Sequence, residues 1–199
     1  MGDRVITTSI WKHPVAGRAP VRGVNIEGDD QADRSVHGGP DKAVYAYASE
    51  DSAWWTERLG RDLGPAPFGE NLTTAGLDVS SARIGERWAV GTALLEVRQS
   101  RMPCFKLGLR LEDPRLVKRF AQESRPGAYL GIVEEGDVAA GDAIDVVHRP
   151  DHDVTVTLMH RALLQDHSLL AALLEAPELM PEWREFALAR TASCRSRRP

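Results

Sequence analysis

The sequence predicts a mainly β fold, a β-barrel carrying a few helices, followed by a small C-terminal three-helix extension. Three observations lead there. The first 150 residues break into short β-branched or aromatic runs separated by Gly, Pro and Asp turns, which suits a closed or nearly closed barrel. From about Asp153 the apolar spacing lengthens to that of amphipathic helices. The length of 199 residues, with 42% hydrophobic and 27% charged side chains, fits one substantial globular domain with a small appendage.

In chain order, strands are expected at Val5–Ile10, Val21–Ile26, Ala43–Tyr47, Trp88–Val90, Ala93–Gln99, Tyr129–Val133 and Ala143–His148. Two helices interrupt them. One spans roughly Glu50–Leu59. The other takes Asp113 as its N-cap and Pro114 at its first position, where a missing N–H costs nothing, and runs to about Glu123. The join to the extension falls at HRPDHD, residues 148–153. Beyond it, Leu158, Met159, Ala162 and Leu163 share a face. Leu169, Leu170, Leu173 and Leu174 form a second stripe, and Trp183, Phe186, Ala187 and Arg190 a third after Pro181. The β-branched Val154, Thr155, Val156 and Thr157 are mediocre helix formers and should delay the first of these helices. Three such short helices cannot bury a core alone. They should pack on the barrel or on another chain, a homodimer being one such arrangement. The expected organisation is a barrel over 1–150, the extension over 153–190 and a flexible tail over 191–199.

Charge and composition narrow the function. A net charge of −4 gives no reason to expect nucleic acid as a partner, since phosphate-binding surfaces carry a basic excess. No segment approaches the roughly 18 apolar residues of a membrane span, and MGDRVITTSIWKHP does not read as a signal peptide. Two cysteines, Cys104 and Cys194, make no disulfide framework, so a cytoplasmic setting is expected. Cys194 lies in the basic tail and is given no role. The motifs CxxC, HExxH, GxSxG and GxxxxGK[ST] are absent, and His13, His148, His152, His160 and His167 lack ligand spacing, which argues against zinc.

Four stretches collect the remaining chemistry. In SRMPCFK (100–106), Cys104 lies between Arg101 and Lys106. Basic neighbours favour the thiolate, a soft ligand for a metal held by sulfur. The alternative is a small buried residue at the end of strand 93–99. In HGGPDK (37–42), His37, Gly38 and Gly39 would let backbone approach a ligand closely, and Lys42 could meet an anion; the alternative is a tight turn. In FGENLTT (68–74), Glu70 and Asn71 offer an acceptor and an amide to a heterocycle, or simply cap a loop. In RPGAY (125–129), Arg125 is either a phosphate ligand or a solvated charge.

Taken together and in this order, these stretches resemble the MOSC family, named for the C-terminal domain of molybdenum cofactor sulfurase, and most of all its YiiM branch. The matching pieces are GDDQAD (28–33), VHGGPDKAVYAY (36–47), FGENLTT (68–74) and PCFKL (103–107), with Gly136 and Gly141-Asp142 later. Pro177-Glu178-Leu179 and Trp183-Arg184 resemble that branch's helical extension. The resemblance implies a barrel that holds the molybdenum cofactor, a pterin dithiolene (molybdopterin) bearing a phosphate. It makes Cys104 the molybdenum ligand and catalytic centre, with His37, Gly38, Gly39, Lys42, Asn71 and Arg101 around the cofactor. It also implies reduction of N-hydroxylated compounds, including toxic base analogues of the hydroxylaminopurine type, with electrons from a partner reductase. Two rivals remain. One is a carrier of the cofactor, or of sulfur as a persulfide on Cys104. The other is a cofactor-free thiol enzyme, which would need His37 as its base.

Overall fold

The computed structural model describes residues 7–30 and 38–195. Nine strands fall among the described residues. They are β1 (Arg18–Arg22), β2 (Asn25–Ile26), β3 (Val44–Ala48), β4 (Leu72–Thr74), β5 (Arg87–Val90), β6 (Ala93–Ser100), β7 (Ala128–Glu134), β8 (Gly136–Ala139) and β9 (Ile144–His148). A six-stranded sheet in the order β4-β3-β7-β6-β5-β9 curls into a half-barrel, and β2-β1-β8 form a smaller sheet. Only the β3–β4 pair among these ladders is parallel; the others are antiparallel.

Period-two alternation along β3 and β7 separates two apolar clusters. Val44, Ala46, Ala48, Ala128 and Leu130 join Trp88, Leu95 and Val97 in the larger cluster. Tyr45 and Tyr47 point the other way, into a second cluster with Trp55, Phe68, Leu107 and Phe120, against which Tyr129 packs. That second face is roofed by three helices, α1 (Ser49–Leu59), α2 (Phe105–Arg110) and α3 (Leu116–Gln122). Both tyrosines of β3 are anchored through their hydroxyls: Tyr45 donates to the Pro126 carbonyl at 2.7 Å and Tyr47 to the Arg125 carbonyl at 3.0 Å. Gly127 makes this possible. Its φ is +63°, and a Cβ there would stand 2.6 Å from the Ala46 carbonyl oxygen.

Five strands of the larger sheet (β3, β5, β6, β7 and β9) and the helix α1 lie within a residue of expectation, whereas other segments differ. Residues 7–10 form irregular backbone, so the described part of the expected Val5–Ile10 strand is not one; Val5 and Ile6 lie outside the described residues. The expected Val21–Ile26 strand is a hairpin, β1 turning into β2 at Gly23-Val24. The short strands β4 and β8 and the helix α2 were not anticipated. The helix expected from Pro114 begins at Leu116, because Asp113 instead closes a turn, accepting from the Arg115 N–H at 3.0 Å.

The C-terminal segment continues the larger core. Val154 is extended: its carbonyl accepts from Ile84 N–H at 3.0 Å, and Val156 N–H donates to Ala82 at 2.9 Å. The helix α4 (Val156–Leu164) starts only after Thr155, whose hydroxyl accepts from Leu158 N–H at 3.0 Å as an N-cap. A 3-10 helix, His167–Glu175, takes the place of the second expected helix, and α5 (Pro181–Arg195) follows. The helix thus runs through 191–195 of the expected tail; residues 196–199 lie outside the described residues. Met159, Leu170, Leu173 and Ala187 are fully buried in the same cluster as Trp88 and Val97. The Trp183 indole N–H also donates to the Gln99 side-chain oxygen at 3.1 Å, tying α5 to β6. No described helix is long and apolar enough to cross a membrane.

Candidate functional site

Strand β6 ends at Ser100, and α2 begins at Phe105. The four residues between them carry both Arg101 and Cys104, and Cys104 is the N-cap residue of α2, with its carbonyl accepting from Leu107 N–H at 3.0 Å. Its thiol is free and half-buried. A cleft of about 90 Å³ opens in front of it. Arg101, Tyr45 and Tyr129 line its inner wall, and Lys12, Lys42 and Lys106 line it from three separate segments. Asp29 and Asp30 add two carboxylates, so basic side chains outnumber acidic ones four to two.

Arg101 is 5% exposed and fixed on two sides. One guanidinium nitrogen donates to the Phe68 carbonyl, and the guanidinium lies 4.9 Å from the centre of the Tyr45 ring. Burial alone would lower its pKa, but the polar groups of Tyr45, Tyr129 and Cys104 around it outweigh that, and the guanidinium stays charged. Burial pushes both phenols up against the pull of Arg101, so Tyr45 and Tyr129 remain protonated. The inner wall is therefore a buried cation between two neutral rings, beside a thiol.

Asn71 lines the cleft, but its amide is engaged. Its Oδ1 accepts from Tyr45 N–H at 2.9 Å, its Nδ2 donates to Asp29 at 2.7 Å, and Asp29 pairs with Lys12. Asn71 thus clamps β3 to the loop at Asp29. Glu70 turns into its own loop, accepting from Phe68 N–H at 3.0 Å and the Thr73 hydroxyl at 3.2 Å. Gly69, at φ +70°, lets the N-terminal segment come close: a Cβ there would lie 2.7 Å from Ile10 Cγ1. That contact seats Thr8, Ser9 and Ile10 along the cleft.

Other sequence candidates stand differently. Gly38 and Gly39 precede the short turn that carries Lys42 but do not line the cleft, and a Cβ at Gly39 would meet nothing within 4 Å. His37 lies outside the described residues. Arg125 pairs with Asp51 and lies over the Trp54 ring at 4.7 Å, so it is neither a cleft ligand nor a free surface charge. Lys12, Tyr45 and Tyr129 were not singled out from the sequence, although alternation along the strands VYAY and GAY would have put both tyrosines on one face.

The donor set fits a metal that arrives already liganded. Among the described residues, no group of three or more His, Cys, Asp or Glu could hold a metal ion, so Cys104 can offer one sulfur to a centre whose other ligands come with it. With Lys12 paired to Asp29, it is Lys42, Lys106 and Arg101 that suit an anionic, phosphate-bearing ligand, and the tyrosine rings a flat heterocycle.

Comparison with known proteins matches a MOSC domain over residues 33–145. YflK of Bacillus subtilis (strain 168) is 36% identical over 182 residues, covering 90% of this chain and 82% of that protein. A Gibberella moniliformis protein named Reductase is 31% identical over 180 residues, 87% of this chain but 32% of its own length. The crystal structure of YiiM from Geobacillus stearothermophilus superposes with a TM-score of 0.79 at 32% identity, covering 92% of this chain and 89% of that one. MOSC domains are in general molybdenum-cofactor-binding domains. A family match running from before β3 into the start of β9, and a solved relative that covers 92% of the chain, place this chain in the MOSC family, in its YiiM-like branch.

Proposed function

We propose that the protein is a molybdenum-cofactor-dependent reductase of N-hydroxylated compounds. The observation that carries this reading is a lone half-buried thiol at the mouth of a cation-lined cleft, with no described cluster able to hold a metal by itself. A relative named Reductase supports the reaction class. The reaction is R₂N–OH + 2 e⁻ + 2 H⁺ → R₂NH + H₂O, in which the N–O bond breaks and the oxygen leaves as water. When bound, the cofactor supplies the metal at which an oxygen can be removed while electrons enter singly.

This chain's residues do the rest. Cys104 anchors the metal through sulfur. Arg101 keeps a fixed positive charge beside that sulfur and cannot swing away, because the Phe68 carbonyl and the Tyr45 ring hold it. Lys42 and Lys106 attract the phosphate, while Lys12 is paired with Asp29 at the rim. Tyr129 and Tyr45 keep their protons and exclude water from the inner wall. Asn71 and Asp29 keep the rim in place, and the electron source is a separate reductase.

Protein purified from a cofactor-competent host should contain molybdenum and pterin in near-equal amounts. It should also reduce an N-hydroxylated base with reduced methyl viologen as donor. Cofactor present without turnover would favour the carrier reading, and clean protein with zinc or no metal at all would defeat both.

A further inference from the structure

An N-hydroxyl reductase needs two electrons per turnover, and the inference below rests on that reading of the cleft. The chain is acidic overall, at −4, yet the surface beside Cys104 is not. Residues 103–124 hold five basic side chains against three acidic ones. Helix α2 starts one residue after Cys104, and its six residues rise about 9 Å along the surface. Phe105 and Leu109, four residues apart on one face, are 56% and 46% exposed, whereas Leu107 and Leu111 are buried beneath.

Past the far end of α2, Arg58, Arg61, Arg115 and Arg119 line a second, open cleft together with Glu112 and Asp113. Arg61 reaches the Leu111 carbonyl and Arg110 the Pro65 carbonyl, which satisfies their hydrogens without cancelling their charge. Arg115 pairs with Asp113 through hydrogen bonds of 2.9 and 3.1 Å, and Arg58 approaches Glu123 at 3.6 Å. Both arginines still stay well exposed, at 85% and 56% of their side chains, so a partner can reach them. An exposed aromatic with an aliphatic neighbour and an arginine-rich rim is the composition of a protein interface, in which Arg and aromatics are enriched. Nucleic-acid surfaces draw on lysine as well and do not need the apolar centre.

We propose that the exposed face of α2, with its arginine rim, is the docking surface for a small acidic electron-carrier protein. Its apolar centre is Phe105, the residue next to Cys104, so a carrier seated there stands close to the sulfur. Each turnover oxidises two one-electron carriers, breaks one N–O bond, takes up two protons and releases water. The basic rim steers the acidic carrier and fixes its orientation.

The test compares wild-type holoprotein with Arg58→Glu/Arg115→Glu and, separately, Leu109→Asp. Three donors are used: reduced methyl viologen, an acidic flavodoxin kept reduced by its NADPH reductase, and a reduced acidic ferredoxin. Both variants should keep wild-type molybdenum content and viologen-driven rate. The double variant should lose about tenfold in kcat/KM for the protein donors at low ionic strength. Raising the salt should bring the wild type down toward it. Unchanged protein-donor rates, or turnover with viologen but with neither acidic carrier, would overturn the proposal. So would a double variant that loses affinity only for a DNA oligonucleotide. A wild type that makes no product even with viologen would mean that the reductase reading itself had failed.

Discussion

Cys104 and Arg101 stand three residues apart, in a loop that converts the end of β6 into the start of α2. The burial of one and the half-exposure of the other follow from that turn. Arg101 points back under the sheet to the Phe68 carbonyl, while Cys104 faces the cleft. Their association was legible in the sequence, because a cysteine among basic residues just after a strand is unusual, and the same holds for Lys42 and Asn71 within their motifs. The bonds of Asn71 were not legible, since its partners Tyr45 and Asp29 lie 26 and 42 residues away. Lys12 was hidden for the same reason. Cys104→Ser tests the ligand assignment. The change is nearly isosteric at a half-buried position, so the thermal midpoint should move by no more than a few degrees. Replacing a soft thiolate by a hard hydroxyl should nevertheless abolish molybdenum retention. Metal content and calorimetry on the same preparation check this, and a serine variant that keeps its molybdenum would move the ligand elsewhere.

At the scale of elements, segments with a clear apolar pattern between turn residues were readable, even ones as short as β5, and segments without a pattern of their own were not. Strand β6 and helix α1 carry enough residues for their periodicity to declare itself. Helix α2 has six residues with Gly108 inside, too short and too poor in propensity to form without the packing of Leu107 against Phe120 and Trp55. The three-residue β4 exists only because β3 lies beside it. The C-terminal stripes were readable as helices, but the tertiary seat that they share with the sheet was not, because it depends on residues some 70 positions earlier. Met159, fully buried on α4 in the cluster of Trp88 and Val97, measures that seat. Met159→Ala should cost about 2–5 kcal/mol. Denaturant unfolding should remain one cooperative transition at a lower midpoint. Two transitions, with the larger one unmoved, would make the helical segment an independent appendage.

Over the whole molecule, the sheet's second face and the C-terminal helices meet around one buried histidine. His160 of α4 has no exposed surface, packs edge-on against Phe120 at 6.3 Å, and places Nε2 3.1 Å from the Ala121 carbonyl. A carbonyl only accepts, so Nε2 carries the proton and Nδ1, which has no partner, is bare. Adding a proton there would bury a charge and an unsatisfied N–H together. Burial accordingly holds the His160 pKa below the ordinary 6.5, with the backbone of Ala121, Arg101 and Phe120 opposing it only in part. The unfolded chain therefore takes up a proton near pH 6.5 that the folded chain refuses, and stability is lost as the pH falls from there toward the folded value. Glu70 and Asp51 carry the opposite sign. Burial raises both, from 4.5 and 3.8, so they favour the fold at acid pH and lose that contribution as the pH rises through their folded values. A comparison with His160→Gln cancels those carboxylates and isolates the histidine. Glutamine can still donate to Ala121 but cannot titrate. At pH 7.5 the wild type should be the more stable by about 1–3 kcal/mol, the usual cost of disturbing a buried hydrogen-bonded site. At pH 5.5 guanidinium titrations should find that gap narrowed or reversed. A gap of the same size at both pH values would mean that His160 takes up its proton equally well in the folded chain, and the closed packing between α3 and α4 would have to open in acid.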